Sequence, residues 1–170
     1  MERVYWNTVE FNNSRMFLVT TQRGIKFISN PKRGISQIYD YYRHQAFEFK
    51  YQALITAPYQ RFLSRYLEGD SGRGHLDLDL NGIGTQVDRR VWRLVRQIPY
   101  GEVRTVDQLA HRLHVSQTQV VSAVRLNPVL ILIPTHRVIV NSEKLGRFRE
   151  SLGMKSQLLE IETIMRNVND

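Results

Sequence analysis

The chain has 170 residues, of which 24 are Lys or Arg, 16 are Asp or Glu and none is Cys. That length allows one ordinary domain or two small ones, and apolar and charged fractions of 42% and 24% exclude a disordered or collagen-like chain. The lack of cysteine excludes a disulfide framework, a thiolate metal site and a cysteine nucleophile. A net charge of +8 favours a polyanionic partner, of which nucleic acid is the commonest kind.

The N-terminus and the apolar runs carry no sign of a membrane protein. Residues 1–6 lack the apolar core of a signal peptide, and no apolar run approaches the ~20 residues of a spanning helix. We therefore expect a cytoplasmic protein without membrane contact. We also expect no metal and no cofactor, because the histidines outside the motifs described below lack the spacing of metal ligands. These are His44, His75, His111 and His114.

The first half of the chain is predicted to be an α+β unit. Three short runs of β-branched and aromatic residues predict a three-stranded antiparallel sheet, and two segments have helical spacing. The strands are expected at 4–11, 16–21 and 25–28, and the helices at 36–42 and 57–67. The glycine-rich stretch 69–74 predicts a boundary, which divides the chain into an N-terminal domain, 1–74, and a C-terminal domain, 75–170.

The second half is predicted to be mostly helical and to contain a helix-turn-helix. Thr105–Gln108 and Ser116–Gln119 each fit a capping box, so helices should begin at residues 106 and 117 and enclose a tight turn. In a DNA-binding pair of this kind the second helix presents its N-terminal residues to a groove. A purely structural helix pair has the same pattern and stays an alternative.

His136 and Arg137 lie between two strongly apolar runs, where a solvated position is not expected. A buried charge needs a partner. Glu162, among apolar positions of a closing helix predicted over 154–165, is the candidate partner for His136. The pattern leaves two interpretations open, a satisfied core pair and a reaction pocket.

The order of these motifs resembles that of the O(6)-alkylguanine-DNA alkyltransferases. The motifs that carry the resemblance are Ile98-Pro99-Tyr100-Gly101, Asn127-Pro128, Pro134-Thr135-His136-Arg137, Lys155 and Glu162. The resemblance is firm over residues 76–165 and rests on layout alone before that. It implies a helix-turn-helix that grips duplex DNA from the minor groove, an alkylated guanine flipped into a pocket, and a cysteine that takes the alkyl group irreversibly.

The resemblance places Thr135 at the cysteine position, beside Asn127, His136 and Glu162. A thiol with a pKa near ~8.5 ionises readily, whereas an aliphatic hydroxyl needs a strong local base, for which His136 with Glu162 is the candidate. A chain that keeps these pocket residues but lacks the cysteine resembles the alkyltransferase-like proteins. Those proteins bind alkylguanine, do not repair it and mark it for excision repair.

The resemblance also implies a DNA-contacting face and a lesion pocket. The DNA-contact candidates are Ser116, Gln117, Thr118, Gln119, Ser122, Ala123 and Arg125; the pocket candidates are Val106, Val124, Pro134, Leu145, Phe148 and Arg149. Further positions depart from the family. Thr118, or Gln119 if the gap is placed differently, replaces an arginine that holds the flipped state, and Val121 and Ser122 replace small residues of the helix. Val106 replaces a tyrosine, and Glu150 replaces a small residue over the pocket.

The sequence therefore predicts a monomeric DNA-repair homologue that binds duplex DNA and recognises flipped O(6)-alkylguanine without acting as an enzyme. Excision-repair proteins are the implied further partners. Two alternatives stay open. One is an active methyltransferase, through Thr135 or through a cysteine replaced at that position. The other is a degenerate module that binds DNA nonspecifically or binds a protein.

Overall fold

The computed structural model describes residues 1–71 and 74–169, with side chains described up to Thr163. Met165, part of the predicted closing helix, therefore lies outside the described side chains, as do Gly72 and Arg73 of the predicted linker. The chain forms two compact units, Met1–Ile83 and Gly84–Asp170. None of the helices described is long and apolar enough to cross a membrane.

The first unit is built on a four-stranded sheet. Its strands are β1 (Glu2–Phe11), β2 (Ser14–Thr21), β3 (Gly24–Ile28) and β4 (Phe47–Tyr51), in the order β3-β2-β1-β4. A short helix, α1 (Ile38–Tyr41), follows a 3-10 turn at Ile35–Gln37, and α2 spans Ala53–Leu67. The α+β class is confirmed, but the predicted three-stranded antiparallel sheet lacked β4, which pairs in parallel with β1.

Local turns explain the three strands that were predicted. Asn12 and Asn13 have φ values of 49° and 59°, a left-handed pair typical of a tight hairpin turn, and they join β1 to β2.

The division between the units falls nine residues after Gly74, the last residue of the predicted linker. Leu78 explains this difference, because it bridges Ile25 of β3 and so ties its segment to the first unit.

The second unit is mainly helical, as predicted. Its helices are α3 (Gln86–Val95), α4 (Val106–Leu113), α5 (Gln117–Arg125) and α6 (Leu152–Asn169). Two short strands, β5 (Arg104–Thr105) and β6 (Val138–Ile139), pair in parallel, and a 3-10 turn at Thr135–Arg137 precedes β6. Most of the second unit's candidate site residues lie on α5, on this turn, or in the segments beside it.

Side-chain caps and one tryptophan position the pair of helices α4 and α5. Thr105 and Ser116 each complete a capping box, which confirms both predicted helix starts. His114 ends α4 in the left-handed conformation, with φ of 55°, and turns the chain toward α5. Trp92 of α3 is buried, and its Nε1 donates to the carbonyl of Ala123 at 2.8 Å, so α3 supports the inner face of α5.

Candidate functional site

Asn127 is the fully buried anchor of the segment that follows α5. Its Nδ2 donates to the carbonyl of Ile133 at 2.8 Å and to Oγ1 of Thr135 at 2.9 Å, while its Oδ1 accepts from the backbone N–H of Val129 at 2.9 Å. Between these contacts Ile131 has φ of 73°, which is rare for a β-branched residue. One amide side chain therefore holds a strained turn and positions the Thr135 hydroxyl.

The Thr135 hydroxyl lies in the interior and has partners on both sides. Thr135 is 1% exposed, accepts from Asn127 and donates to Oε2 of Glu150 at 3.0 Å. The sequence offered His136, supported by Glu162, as a candidate base for this hydroxyl. The structure differs, because the hydroxyl proton is directed to the Glu150 carboxylate.

Glu162 of α6 joins three parts of the second unit. Its Oε1 lies 2.8 Å from Nε2 of His136 and 2.8 Å from an Nη of Arg137, whose Nε also contacts both carboxylate oxygens. Arg137 donates in addition to the carbonyl of Ile98 at 2.8 Å, and the N–H of Gly101 donates to Oε2 of Glu162 at 3.1 Å. The predicted pairing of Glu162 with His136 is confirmed; the two backbone contacts carried no recognisable sequence signal.

The ionisation of Glu162 is set by these donors. Burial by itself raises the pKa of Glu162, but hydrogen bonds from His136 and Arg137 outweigh burial and lower the pKa to about 2. A carboxylate is an acceptor only, so Nε2 of His136 carries its proton in this contact. The network is therefore a fixed, ionised cluster that orients the imidazole of His136 next to Thr135 in the chain.

Lys155 of α6 fastens the segment between β6 and α6. Its buried ammonium donates to the carbonyls of Val138, Leu145 and Gly146, and it lies 4.0 Å from Oε1 of Glu150. Burial lowers the pKa of Lys155 to about 8, and the negative charge of Glu150 limits the fall. Lys155 thus neutralises Glu150 and ties the segment to strand β6.

The predicted DNA-contact residues fall into two groups on α5. Most are exposed at the N-terminal end of the helix or along its outer face: Ser116, Gln117, Thr118, Gln119, Ser122 and Arg125. Ala123 is fully buried under Trp92, which leaves its side chain off the exposed face. Gln117 also donates to Asp107 of α4 at 3.0 Å and so links the two helices of the motif.

The predicted pocket residues are spread over four places. Val106 begins α4 and Val124 lies on α5, both buried, and Pro134 is buried directly before Thr135. The remaining three belong to the segment after β6. Leu145 is 37% exposed, Phe148 is half-buried under the Lys155 ammonium, and Arg149 is buried with its Nε donating to the carbonyl of Asn127 at 3.0 Å.

Glu150 is the site residue whose role the sequence missed. It is 1% exposed and contacts Thr135, whereas the sequence indicated only that Glu150 replaces a small residue over the pocket. Pattern offers little signal here, because a single Glu in a basic, glycine-containing loop is normally solvated.

Comparison with known proteins assigns the chain to a family. The family model for the DNA binding domain of 6-O-methylguanine DNA methyltransferase matches residues 86–164. A methylated-DNA–protein-cysteine methyltransferase of Methanosarcina barkeri is 31% identical, over 94% of this chain and 97% of its own. This chain belongs to the O(6)-alkylguanine-DNA alkyltransferase family. The inducible methylated-DNA–protein-cysteine methyltransferase of Bacillus subtilis is 28% identical over 94% of this chain and 90% of its own.

Solved structures of the alkyltransferase family have the same fold. The Mycobacterium tuberculosis OGT in complex with DNA is 26% identical, covers 95% of this chain and 94% of its own, and superposes with a TM-score of 0.75. The M. tuberculosis O6-methylguanine methyltransferase covers 98% of this chain and 99% of its own with a TM-score of 0.76 at 24% identity. The resemblance inferred from the motifs of the second half thus extends over both units.

Proposed function

We propose that this chain binds duplex DNA through α5 and recognises O(6)-alkylguanine turned out of the helix, without transferring the alkyl group. The observation that carries the proposal is the environment of Thr135. Its hydroxyl is buried and hydrogen-bonded between Asn127 and Glu150, at the position where the family motif has a cysteine.

The loss of transfer follows from the chemistry of oxygen beside a carboxylate. Alkyl transfer is a displacement at carbon that needs an anionic nucleophile, and an aliphatic hydroxyl ionises far less readily than a thiol. The Glu150 carboxylate, 3.0 Å from Oγ1 of Thr135, disfavours a second negative charge at that place. The hydroxyl therefore has a structural role, because it links Asn127 to Glu150 by hydrogen bonds.

DNA binding is supported by the exposed polar end of α5 and by the relative solved with DNA. Flipping a base costs a few kcal/mol of unstacking and unpairing. Thr118, exposed at the start of α5, offsets less of that cost than a guanidinium would. Because Thr135 and Glu150 are each 1% exposed, a base reaches them only when the segment that carries Glu150 shifts. We therefore expect the chain to bind the lesion measurably, but with lower affinity than an active transferase.

Binding to two matched duplexes tests the proposal. A duplex with a single O(6)-methylguanine should bind severalfold more tightly than the same duplex with guanine. The mass of the protein recovered from the complex should be unchanged. Equal affinities for the two duplexes would remove lesion recognition and leave the nonspecific module as the better description.

Alkyl transfer to Thr135 is the second candidate, and one contact favours it. The Glu150 carboxylate accepts the hydroxyl proton at 3.0 Å and so occupies the place of a general base. Incubation with alkylated DNA followed by intact-mass measurement separates the candidates. Transfer would add the mass of one methylene group permanently to the peptide that contains Thr135.

Arg125, exposed at the end of α5, is the residue with which to test the DNA face. If it neutralises one phosphate, Arg125→Gln should make the negative slope of log affinity against log salt shallower by about 0.9. Arg15→Gln, an exposed arginine of β2 in the first unit, removes the same charge and should leave the slope within error of the wild type. Equal slopes for all three proteins would exclude Arg125 as a phosphate contact.

A monomeric state and recruitment of excision-repair proteins complete the proposal. Both rest on the resemblance to the alkyltransferase-like proteins, and a cytoplasmic location stays a prediction of the sequence.

A further inference from the structure

The Glu150 carboxylate has one oxygen that hydrogen bonding leaves unused. Oε2 accepts the Thr135 proton at 3.0 Å, but Oε1 is buried and receives no hydrogen bond in the described part of the chain. A buried acceptor without a donor destabilises the site, and more so when it carries a charge. Oε1 is therefore an acceptor placed where an incoming group can use it.

The charged neighbour of Glu150 cannot supply the missing donor. The Lys155 ammonium has three N–H donors, and all three are directed to backbone carbonyls, those of Val138, Leu145 and Gly146. At 4.0 Å from Oε1 the ammonium balances the charge without making the hydrogen bond.

The hydrogen-bond donors around Thr135 also already have acceptors within the protein. The hydroxyl proton goes to Oε2 of Glu150, and the two Nδ2 protons of Asn127 go to Ile133 and Thr135. Arg149 directs its Nε to the carbonyl of Asn127. At Oε1, a ligand that settles beside Thr135 therefore meets an unused acceptor, to which a donor on the ligand can bind.

We propose that Glu150 is a specificity-determining residue of this site and accepts a hydrogen bond from the exocyclic 2-amino group of the flipped base. This step rests on the proposed function. Alkylation at O6 removes the proton from ring N1, so the 2-amino group is the only N–H donor that O(6)-alkylguanine keeps on its Watson–Crick edge. The site therefore selects 2-amino-bearing O(6)-alkylpurines over those that lack the amine.

The test compares duplexes with O(6)-methylguanine and with O(6)-methylhypoxanthine, which differ only in the 2-amino group. The wild type should prefer O(6)-methylguanine by about tenfold, as a hydrogen bond to a charged acceptor allows. Glu150→Gln keeps a carbonyl oxygen for Thr135 but places an NH₂ donor where Oε1 was. That variant should therefore lose the preference, to within about twofold, and shift toward the base without the amine.

Glu143→Gln is the matched control, because it removes the same charge at an exposed position of the same segment. It should keep the wild-type preference, and chemical unfolding of each variant establishes that its fold is intact. Equal affinity of the wild type for the two O(6)-methylated duplexes would overturn the inference, as would an unchanged preference in Glu150→Gln. If the wild type also binds O(6)-methylguanine and guanine duplexes equally, the proposed function is contradicted as well. The comparison with guanine therefore distinguishes failure of the proposed function from failure of this inference alone.

Discussion

Glu162→Gln should destabilise the protein by about 3–5 kcal/mol, the loss expected when one partner of a buried ion pair is removed. Arg137 would keep a largely buried guanidinium without its carboxylate, and the N–H of Gly101 would lose an ionised acceptor. His136 would lose the carboxylate that orients it, and Arg137, which binds the carbonyl of Ile98, would lose its anchor on α6. Urea unfolding at neutral pH measures the difference.

Glu160→Gln is the control for Glu162→Gln, since Glu160 is exposed on the same helix and its loss should change stability by no more than about 0.5 kcal/mol. If the two variants unfold alike, the buried network contributes little to stability. In that case its role would be confined to orienting His136.

The same network predicts how stability depends on pH. The pKa of Glu162 is lowered from 4.5 to about 2 in the folded protein. The contribution of Glu162 is therefore fully present above pH 4.5 and is lost as pH falls through about 2, because the unfolded chain binds the proton first. The size of this contribution is on the order of 3 kcal/mol. The stability gap between wild type and Glu162→Gln should narrow over that window, and a gap that is constant from neutral pH to pH 2 would contradict this account.

The parts of the fold that the sequence predicted are those fixed by neighbouring residues. The helices that begin at Val106 and Gln117 follow from capping boxes, each complete within four residues. Strand β4 was missed because its partner is β1, and a parallel pairing of distant segments leaves no local mark.

The site residues divide in the same way, into those that a local sequence pattern predicts and those that only tertiary packing brings together. Glu162 was predicted as the partner of His136 because a carboxylate among the apolar positions of a helix must have a buried partner. Glu150 follows no periodic pattern, and its contact with Thr135 depends on how Lys155 and Arg149 fold the segment around it. Contacts of that kind arise from tertiary packing, so the acceptor of the Thr135 hydroxyl proton could not be predicted from residue types alone.

Thr135→Cys alone should not restore efficient alkyl transfer, although it restores the sulfur. The thiol would lie where the hydroxyl is now, beside the Glu150 carboxylate at 3.0 Å, and that negative charge raises the pKa of a thiol. Thr135→Cys combined with Glu150→Ser removes the carboxylate, substitutes a small side chain and leaves the Lys155 cation in the cluster. The double variant should transfer at least about tenfold faster than the single one, since each unit by which the thiol pKa exceeds the working pH reduces the thiolate fraction about tenfold.

Single-turnover incubation with a duplex that contains O(6)-methylguanine, followed by intact-mass measurement, gives both rates. Thr135→Ser combined with Glu150→Ser is the control, because it opens the same space without a thiol and should gain no mass. Equal rates for Thr135→Cys with and without Glu150→Ser would show that Glu150 does not restrain the nucleophile. If neither cysteine variant transfers, the limiting step precedes the chemistry and lies at α5, where Thr118 has no charge with which to hold the flipped state.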